Sequence, residues 1–346
     1  MLKVEMDKDI FYSLRLRLAR NIQGFPFVWK ATFEQLREIK GEVTKAITSL
    51  KSFPDLWILD MEELPLLERK ILAERRLISY EFALLSHPRL LITDPEEKLG
   101  IMVNEEDHLR IQVFGNSPEG RPLLEKLKML DRELEEYLPF SATRRWGYLN
   151  ACPTNAGTGL RASLMMHLPS LVIGEKIKEV APELYKKGWE IRGYLGEGSH
   201  FQGNLFQISN RFSLGYTEEE IVDNLMRLYQ YLRRIELERR GWLLKEGKVE
   251  LEDSLMRSMA ILKAARKIST GEALHHLSIL WLGSIFGIIE GVEDRLIKRL
   301  QLMIQPAHLQ KRFGEELSPL EREIIRANLL REILFNQEKV RLVKWI

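Results

Sequence analysis

The stretch SLRLRLARN, Ser13 to Asn21, sets leucines at 14, 16 and 18 against arginines at 15 and 17. A period of two is the period of a β-strand, so the leucines share one face and two guanidinium groups share the other. The leucine face requires an apolar layer behind it. Two like charges on the opposite face repel, and they are satisfied either by water, as on a half-wet antiparallel strand, or by an anion. Alternation alone leaves both readings open.

At 346 residues the chain is long enough for a sizeable core and two packed regions. A hydrophobic content of 45% with 29% charged residues predicts an ordinary soluble globular protein with little disorder. Lys and Arg total 52 against 50 Asp and Glu, a net charge of +2, which gives no general footprint for nucleic acid or an acidic membrane. Any anion site must therefore come from local clustering. The opening MLKVEMDKDIFY carries charges where a signal peptide needs an apolar run. The longest apolar stretch, Leu277 to Ile289, is shorter than the roughly 18 to 20 residues of a membrane span and predicts a buried core helix. One cysteine, Cys152, supports neither an internal disulfide nor a multi-thiolate metal site, so a cytoplasmic compartment is expected.

Strand periodicity recurs in HLRIQVFG and LFQISN, and helical spacing in RPLLEKLKMLDRELEEYL. A capping box of Thr217 with Glu220 opens a long helix whose stripe is Ile221, Leu225, Leu228, Leu232 and Ile235, with Gly241 as a suitable C-cap. Further capping boxes at Ser269 with Glu272 and at Ser318 with Glu321 predict helix nearly to the C-terminus. The expected organisation is α+β over 1–245, an antiparallel sheet flanked by helices, followed by an all-helical domain over 246–346, with the boundary inside 243–254.

Three segments add arginines in unusual company. VNEEDHLRIQ runs three acids into a strand bearing Arg110, CPTNAGTGLRAS closes a small-residue loop on Arg161, and IRGYLGEGSHFQGN couples Arg192 and Glu197 to Gly193, Gly196, Gly198 and Gly203. Each alone has an ordinary reading as a solvated turn or plain loop. Together, Arg15, Arg17, Arg110, Arg161 and Arg192 could surround a polyphosphate, because a guanidinium stays charged and grips phosphate oxygens in a bidentate fork. Neither a G-x-x-x-x-G-K-[ST] loop nor an H-R-D or D-F-G set is present, which excludes the two common phosphoryl-transfer designs.

These motifs resemble those of the phosphagen (guanidino) kinases, whose hallmarks are the S-x-R-x-R strand, NEEDHLRI and CPTNAGTGLRAS. MVNEEDHLRIQ, GTGLRASLMMHLP, GEGS and GNLFQISN are closer still to the bacterial protein-arginine kinase family, over about Tyr12 to Phe335. The resemblance implies a phosphagen-kinase-like catalytic domain using ATP with Mg2+, and no dedicated protein metal site. By position it assigns Glu106 as the carboxylate that orients the acceptor guanidinium and serves as base, Glu197 as a second carboxylate, and Cys152 as the thiol or thiolate beside it. Two carboxylates can align one guanidinium nitrogen with phosphorus and take a proton, and nearby arginines favour the thiolate form of a cysteine. The same carry-over assigns ATP contacts to Ser13, Leu14, Arg15, Leu16, Arg17, Arg76, Arg110, Arg161, Ala162, Ser163, Leu164, Met165, Arg192, Gly193, Tyr194, Leu195, Gly196 and Glu197. The glycines suit a loop that closes over the nucleotide. His108 and His167 read as structural.

Relatives acting on free guanidines carry a helical domain ahead of the S-x-R-x-R strand, whereas 12 residues precede Ser13 here. An open acceptor site and a protein arginine as acceptor are therefore expected, giving an acid-labile N-phosphoarginine. A kinase of a free guanidine and a non-catalytic adaptor binding ATP or phosphoarginine are the alternatives. In the C-terminal domain REIIRA resembles the family's allosteric phosphoarginine motif, at Arg322, Glu323, Arg326 and Ala327, with Glu323 in place of Asp. The resemblance further implies a stress-response role, with a zinc-binding activator protein, a heat-shock repressor as substrate and a Clp chaperone-protease as partners. A homodimer is expected.

Overall fold

The computed structural model describes residues 6–193, 202–314, 316–336 and 340–343. Numbered along the chain, its strands are β1 (Phe11–Arg20), β2 (Trp57–Asp60), β3 (Leu90–Thr93), β4 (Leu99–Val103), β5 (Leu109–Gly115), β6 (Ala142–Thr143), β7 (Gly147–Tyr148), β8 (Leu160–His167), β9 (Trp189–Arg192), β10 (Leu205–Asn210), β11 (Ile289–Glu290) and β12 (Arg341–Leu342). The helices are α1 (Phe33–Ser49), α2 (Leu66–Glu74), α3 (Tyr80–Leu84), α4 (Gly120–Glu135), α5 (Pro169–Ile173), α6 (Ile177–Lys186), α7 (Glu218–Lys245), α8 (Lys248–Ala264), α9 (Thr270–Ile285), α10 (Asp294–Met303), α11 (Pro306–Phe313) and α12 (Pro319–Phe335). Eight strands form one sheet in the order β2-β3-β4-β5-β1-β8-β10-β9, every neighbour antiparallel. The expected α+β class, with its helical C-terminal region, is what the chain adopts.

The alternating segment is β1, at the centre of that sheet. Leu14, Leu16 and Leu18 are at most 1% exposed and face a core completed by α1, α4 and α7. Burying each leucine contributes about 1.5–3 kcal/mol. Thr32 caps α1 and Thr217 caps α7, both in complete capping boxes. Gly241 does not end α7, which continues to Lys245; a glycine inside a long packed helix costs only about 1 kcal/mol. The apolar run from Leu277 likewise stops being helix at Ile285, because Gly287 at φ 64° turns the chain into β11.

The second apolar cluster is built from α8, α9, α10 and α12, and α9 is buried nearly all round. It also takes in Met165 and Leu205, so the helices cover one end of the sheet face opposite the first core. Leu228 belongs to the first cluster and Leu243 to the second, so α7 spans both. Across this junction lies a buried polar network. Arg240 on α7 donates to Asp9 at 2.7 and 2.8 Å and to Glu236 at 3.1 Å, while His167 sits between Asp9 (2.7 Å) and Ser278 of α9 (2.6 Å). Burial opposes the Asp9 charge, and Arg240 with His167 overcomes it, holding that carboxyl well below its usual range. No helix among the described residues is long and apolar enough to cross a membrane.

Candidate active site

Register gathers the site on one face of the sheet. Arg17 stands opposite Arg161 on β8 and Gln112 on β5, and Arg15 stands opposite Ser163. Further along the same rows come Ser209 and Gln207 on β10 and Glu190 and Arg192 on β9, while Ala19 pairs with Arg110. Because cross-strand partners share a face, side chains from these five strands converge on one cavity of about 840 Å³. Its lining includes Arg15, Arg17, Arg76, Arg110, Arg161, Arg192 and Arg211 against Glu81, Glu105, Glu106 and Glu190. Among the described residues cations exceed acids there by three, in a chain that is nearly neutral overall.

The excess positive charge is under-partnered. Nε of Arg15, of Arg17 and of Arg161 is buried without a hydrogen-bond partner among the described residues, and Arg17 is 8% exposed. Burial first, and the neighbouring arginines second, push the guanidinium pKa of Arg15 and Arg17 well down. The charge of a tri- or tetra-anion placed in the cavity would offset both effects, so the donor set fits a nucleotide polyphosphate. Arg15 leans on Gln207 at 3.2 Å, and Arg76 reaches Ser13 at 3.3 Å and Gln207 at 3.5 Å. Arg76 itself is set by a left-handed backbone, φ 69°, just beyond α2.

Two acids hold arginines in place. Glu105 accepts both bonds from Arg110 at 2.7 Å and one from Ser79 at 2.7 Å; burial would raise its pKa, and Arg110 with these hydrogen bonds lowers it instead. Glu190 pairs with Arg161 and, at 2.8 Å, with Arg192. Neither was singled out in the sequence. Glu190 could have been, since it alternates with Arg192 on one strand face, as Gln207 does with Ser209.

The three successive acids divide by position. Asn104, at φ 61° and fully buried, bonds Leu36 O and Pro88 O and turns the chain so that Glu105 points inward to Arg110. Glu106 is exposed on the cavity wall. Asp107 turns the other way and accepts from Asn21 Nδ2 (2.6 Å) and Ala151 N (2.7 Å), fixing the loop that presents Cys152 on the same wall as Glu106. Cys152 Sγ lies 3.0 Å from Thr154 Oγ1. That loop needs its glycines: a Cβ on Gly157, φ 99°, would meet Leu214 Cα at 2.8 Å, and one on Gly159, φ 72°, would meet Ala19 O at 2.8 Å.

Some expected contact residues lie elsewhere. Leu14, Leu16, Ala162 and Leu164 are 0% exposed on the leucine face, so only their backbones border the site strands. Met165 shares the arginine face but is covered by the C-terminal helices. Ser13 and Ser163 are on the arginine face, and Gly193 follows β9. Tyr194, Leu195, Gly196 and Glu197 lie outside the described residues. His108 is structural, accepting from Ile22 N and bonding Pro26 O, with burial lowering its pKa. In α12 Arg326 is 2% exposed and donates to Ile304 O (2.8 Å) and Ile268 O (2.9 Å). Ala327 is buried too, leaving Arg322 and Glu323 half-exposed. Burial is the first cause that brings the Arg326 pKa down to about 10. Among the described residues no cluster of His, Cys, Asp and Glu could hold a metal ion by itself.

Comparison with known proteins agrees with this geometry. Residues 38–240 match the family model of the ATP:guanido phosphotransferase C-terminal catalytic domain, and residues 248–343 match that of the protein-arginine kinase McsB C-terminal domain. A protein-arginine kinase of Halothermothrix orenii is 42% identical over 94% of this chain and 93% of its own, and one of Moorella thermoacetica is 40% identical over 94% of both. Among solved structures, substrate-free duplicated taurocyamine kinase from Schistosoma mansoni superposes with a TM-score of 0.60 at 23% identity, covering 76% of this chain and 39% of that one. Lombricine kinase gives a TM-score of 0.60 at 22% identity, covering 71% and 72%. A cavity of arginines spread across five antiparallel strands, on a chain matched along nearly its whole length, identifies a phosphotransferase: the chain belongs to the ATP:guanido phosphotransferases, within the protein-arginine kinase family.

Proposed function

We propose that the protein transfers the γ-phosphoryl group of ATP to the guanidinium of arginine side chains in other proteins. The observation that carries this reading is the division of the cavity into an arginine floor and an acidic, thiol-bearing wall. In this reading Arg15, Arg17, Arg110, Arg161 and Arg192 bind and align the polyphosphate, and Arg76 with Ser13 borders its other end. Mg2+ would enter with the nucleotide and neutralise charge on its phosphates, held mainly by phosphate oxygens and water.

Glu106 holds the acceptor guanidinium by charge-assisted hydrogen bonds, with Glu197 as the second carboxylate. An acceptor nitrogen attacks the γ-phosphorus, the bond from that phosphorus to the β–γ bridging oxygen breaks, ADP leaves, and the proton lost by the nitrogen passes to Glu106. Cys152 places its sulfur beside the guanidinium and favours its orientation. Included in this reading are a cytoplasmic location, a homodimer, a stress-linked role with a zinc-binding activator, a heat-shock repressor and a Clp protease, and phosphoarginine recognition at Arg322, Glu323, Arg326 and Ala327.

The test uses γ-labelled ATP and Mg2+ with an arginine-rich protein or with free arginine, for the wild type and Glu106→Gln. Acid-labile, base-stable label on protein, abolished by Glu106→Gln, is the expected result. Label on free arginine alone would move the acceptor to a small guanidine, and ATP binding without transfer to either would make the chain an adaptor.

A further inference from the structure

Beside the catalytic cavity lies a second, mostly apolar groove of about 380 Å³, walled by Trp189, Phe212, Tyr216 and Tyr231, with Lys187 and Arg227 as its charged lining residues among the described residues. Phe212 is half exposed, at 50%, and lines both this groove and the catalytic cavity, so the two adjoin at its side chain. Tyr216 is 52% exposed and Leu214 45%. Contiguous exposed aromatic surface of this kind marks a place where something binds.

The register fixes which end of the active site the groove adjoins. Asn210, at the end of β10, pairs with Trp189 and accepts from Ala162 N at the start of β8. Just beyond it, Ser213 Oγ donates to Ala156 O at 2.8 Å, and Gly157 is in backbone contact with Leu214. The groove wall therefore rests directly on the Cys152–Gly157 loop, at the acceptor end. Ser13 and Gln207, which with Arg76 mark the other end of the cavity, lie toward the opposite ends of β1 and β10.

We propose that this groove is a docking subsite for the polypeptide that carries the acceptor arginine, taking an aromatic or large aliphatic side chain a few residues from that arginine, with an acidic neighbour matched to Lys187 and Arg227. The inference rests on a protein arginine being the acceptor. A free guanidine has nothing to place there, whereas an extended chain running out of the cavity past Phe212 meets the groove within a few residues, at about 3.3 Å per residue. The two rim cations, with no acid among the described lining residues, supply the charge complement.

The test compares kcat/KM for three peptides that each carry one arginine: one with Phe and Glu placed C- or N-terminal to it, one with both replaced by Ala, and one with Phe retained and Glu replaced by Lys. Burying a phenylalanine ring predicts a preference for the first peptide over the second of roughly tenfold or more, carried by KM. Tyr216→Ser should remove most of that preference while leaving kcat/KM on the Ala peptide unchanged, and Tyr216→Phe should restore it. Equal kcat/KM on all three peptides, with transfer intact, overturns the subsite and leaves the acceptor class standing. Transfer to free arginine with none to any peptide overturns both. If Tyr216→Ser instead shifts the sedimentation of the protein and leaves peptide preference unaltered, the groove is covered by a second copy of the chain and the proposal fails.

Discussion

Glu74 offers the most direct check on how the helical region is joined to the active site. Its side chain is 1% exposed, and one oxygen accepts Ala307 N at 2.7 Å while the other accepts His308 N at 3.0 Å and bonds His308 Nδ1 at 2.6 Å. Helix α11 has no side-chain cap of its own, since Gln305 at its N-cap makes no such bond. A carboxylate from α2, 233 residues away in sequence, therefore satisfies its orphan N–H groups. Glu74→Gln keeps the shape and removes one acceptor oxygen, setting an NH2 against a backbone donor. Losing a charge-assisted bond and stranding a buried donor costs about 1.5–3 kcal/mol, and the lost helix-dipole attraction adds roughly 0.3–1 kcal/mol. A total of about 2–4 kcal/mol corresponds to a fall of roughly 4–16 °C in the first unfolding transition for a unit of some 150–250 residues. Calorimetry alongside Glu68→Gln isolates the effect, because Glu68 also reaches α11 through Lys311 but is half-exposed and its partner lysine is open to solvent, and such a pair contributes at most about 1 kcal/mol. Since Arg76 follows α2 by two residues, the apparent KM for nucleotide should also rise in Glu74→Gln. Equal, small shifts in Tm for the two variants would refute the reasoning.

Three further outcomes are expected. Glu105 has a folded-state pKa lowered by Arg110 and its hydrogen bonds against the opposing effect of burial, so its contribution to stability is present above the ordinary carboxylate value of about 4.3 and is lost as pH falls through the lower folded value. Acid titration of unfolding should accordingly show a shallower decline below pH of about 4.3 in Glu105→Gln, with weaker nucleotide binding at neutral pH from a misplaced Arg110. Arg326→Ala should lose about 2–4 kcal/mol of stability, read by urea titration with no phosphoarginine present, because the carbonyls of Ile304 and Ile268 lose a buried donor. Gly157→Ala should reduce kcat by pushing the Cys152 loop off Leu214 while leaving nucleotide affinity close to wild type, measured by single-turnover transfer and by binding of labelled ATP.

What could be read from the sequence followed from local periodicity. The two-residue alternation in β1 fixed the faces of Leu14 to Leu18 before any partner strand was known, and capping boxes located α7 and α12, because those signals act within three or four residues. Roles that depend on distant partners had no such signal. Arg326 shares a helical spacing with Arg322, yet the carbonyls that bury it come from Ile268 and Ile304. Glu74 sits in an ordinary-looking ERKILAE turn, and its partner is a helix end far down the chain.

The arginine face carries the same lesson into chemistry. Water would answer the repulsion between Arg15 and Arg17 if that face were open, but β8 sets Arg161 directly across from Arg17 and β5 brings up Arg110, so adding neighbouring strands concentrates charge instead of diluting it. Glu105 and Glu190 offset part of that charge while leaving three buried Nε donors on this face without partners among the described residues. A sheet built for stability alone would have ended with those donors satisfied, since a buried unpaired donor costs about 1–3 kcal/mol. The unmet donors make sense as preorganisation for a polyphosphate, with the folded core behind the leucine face bearing the cost in its absence.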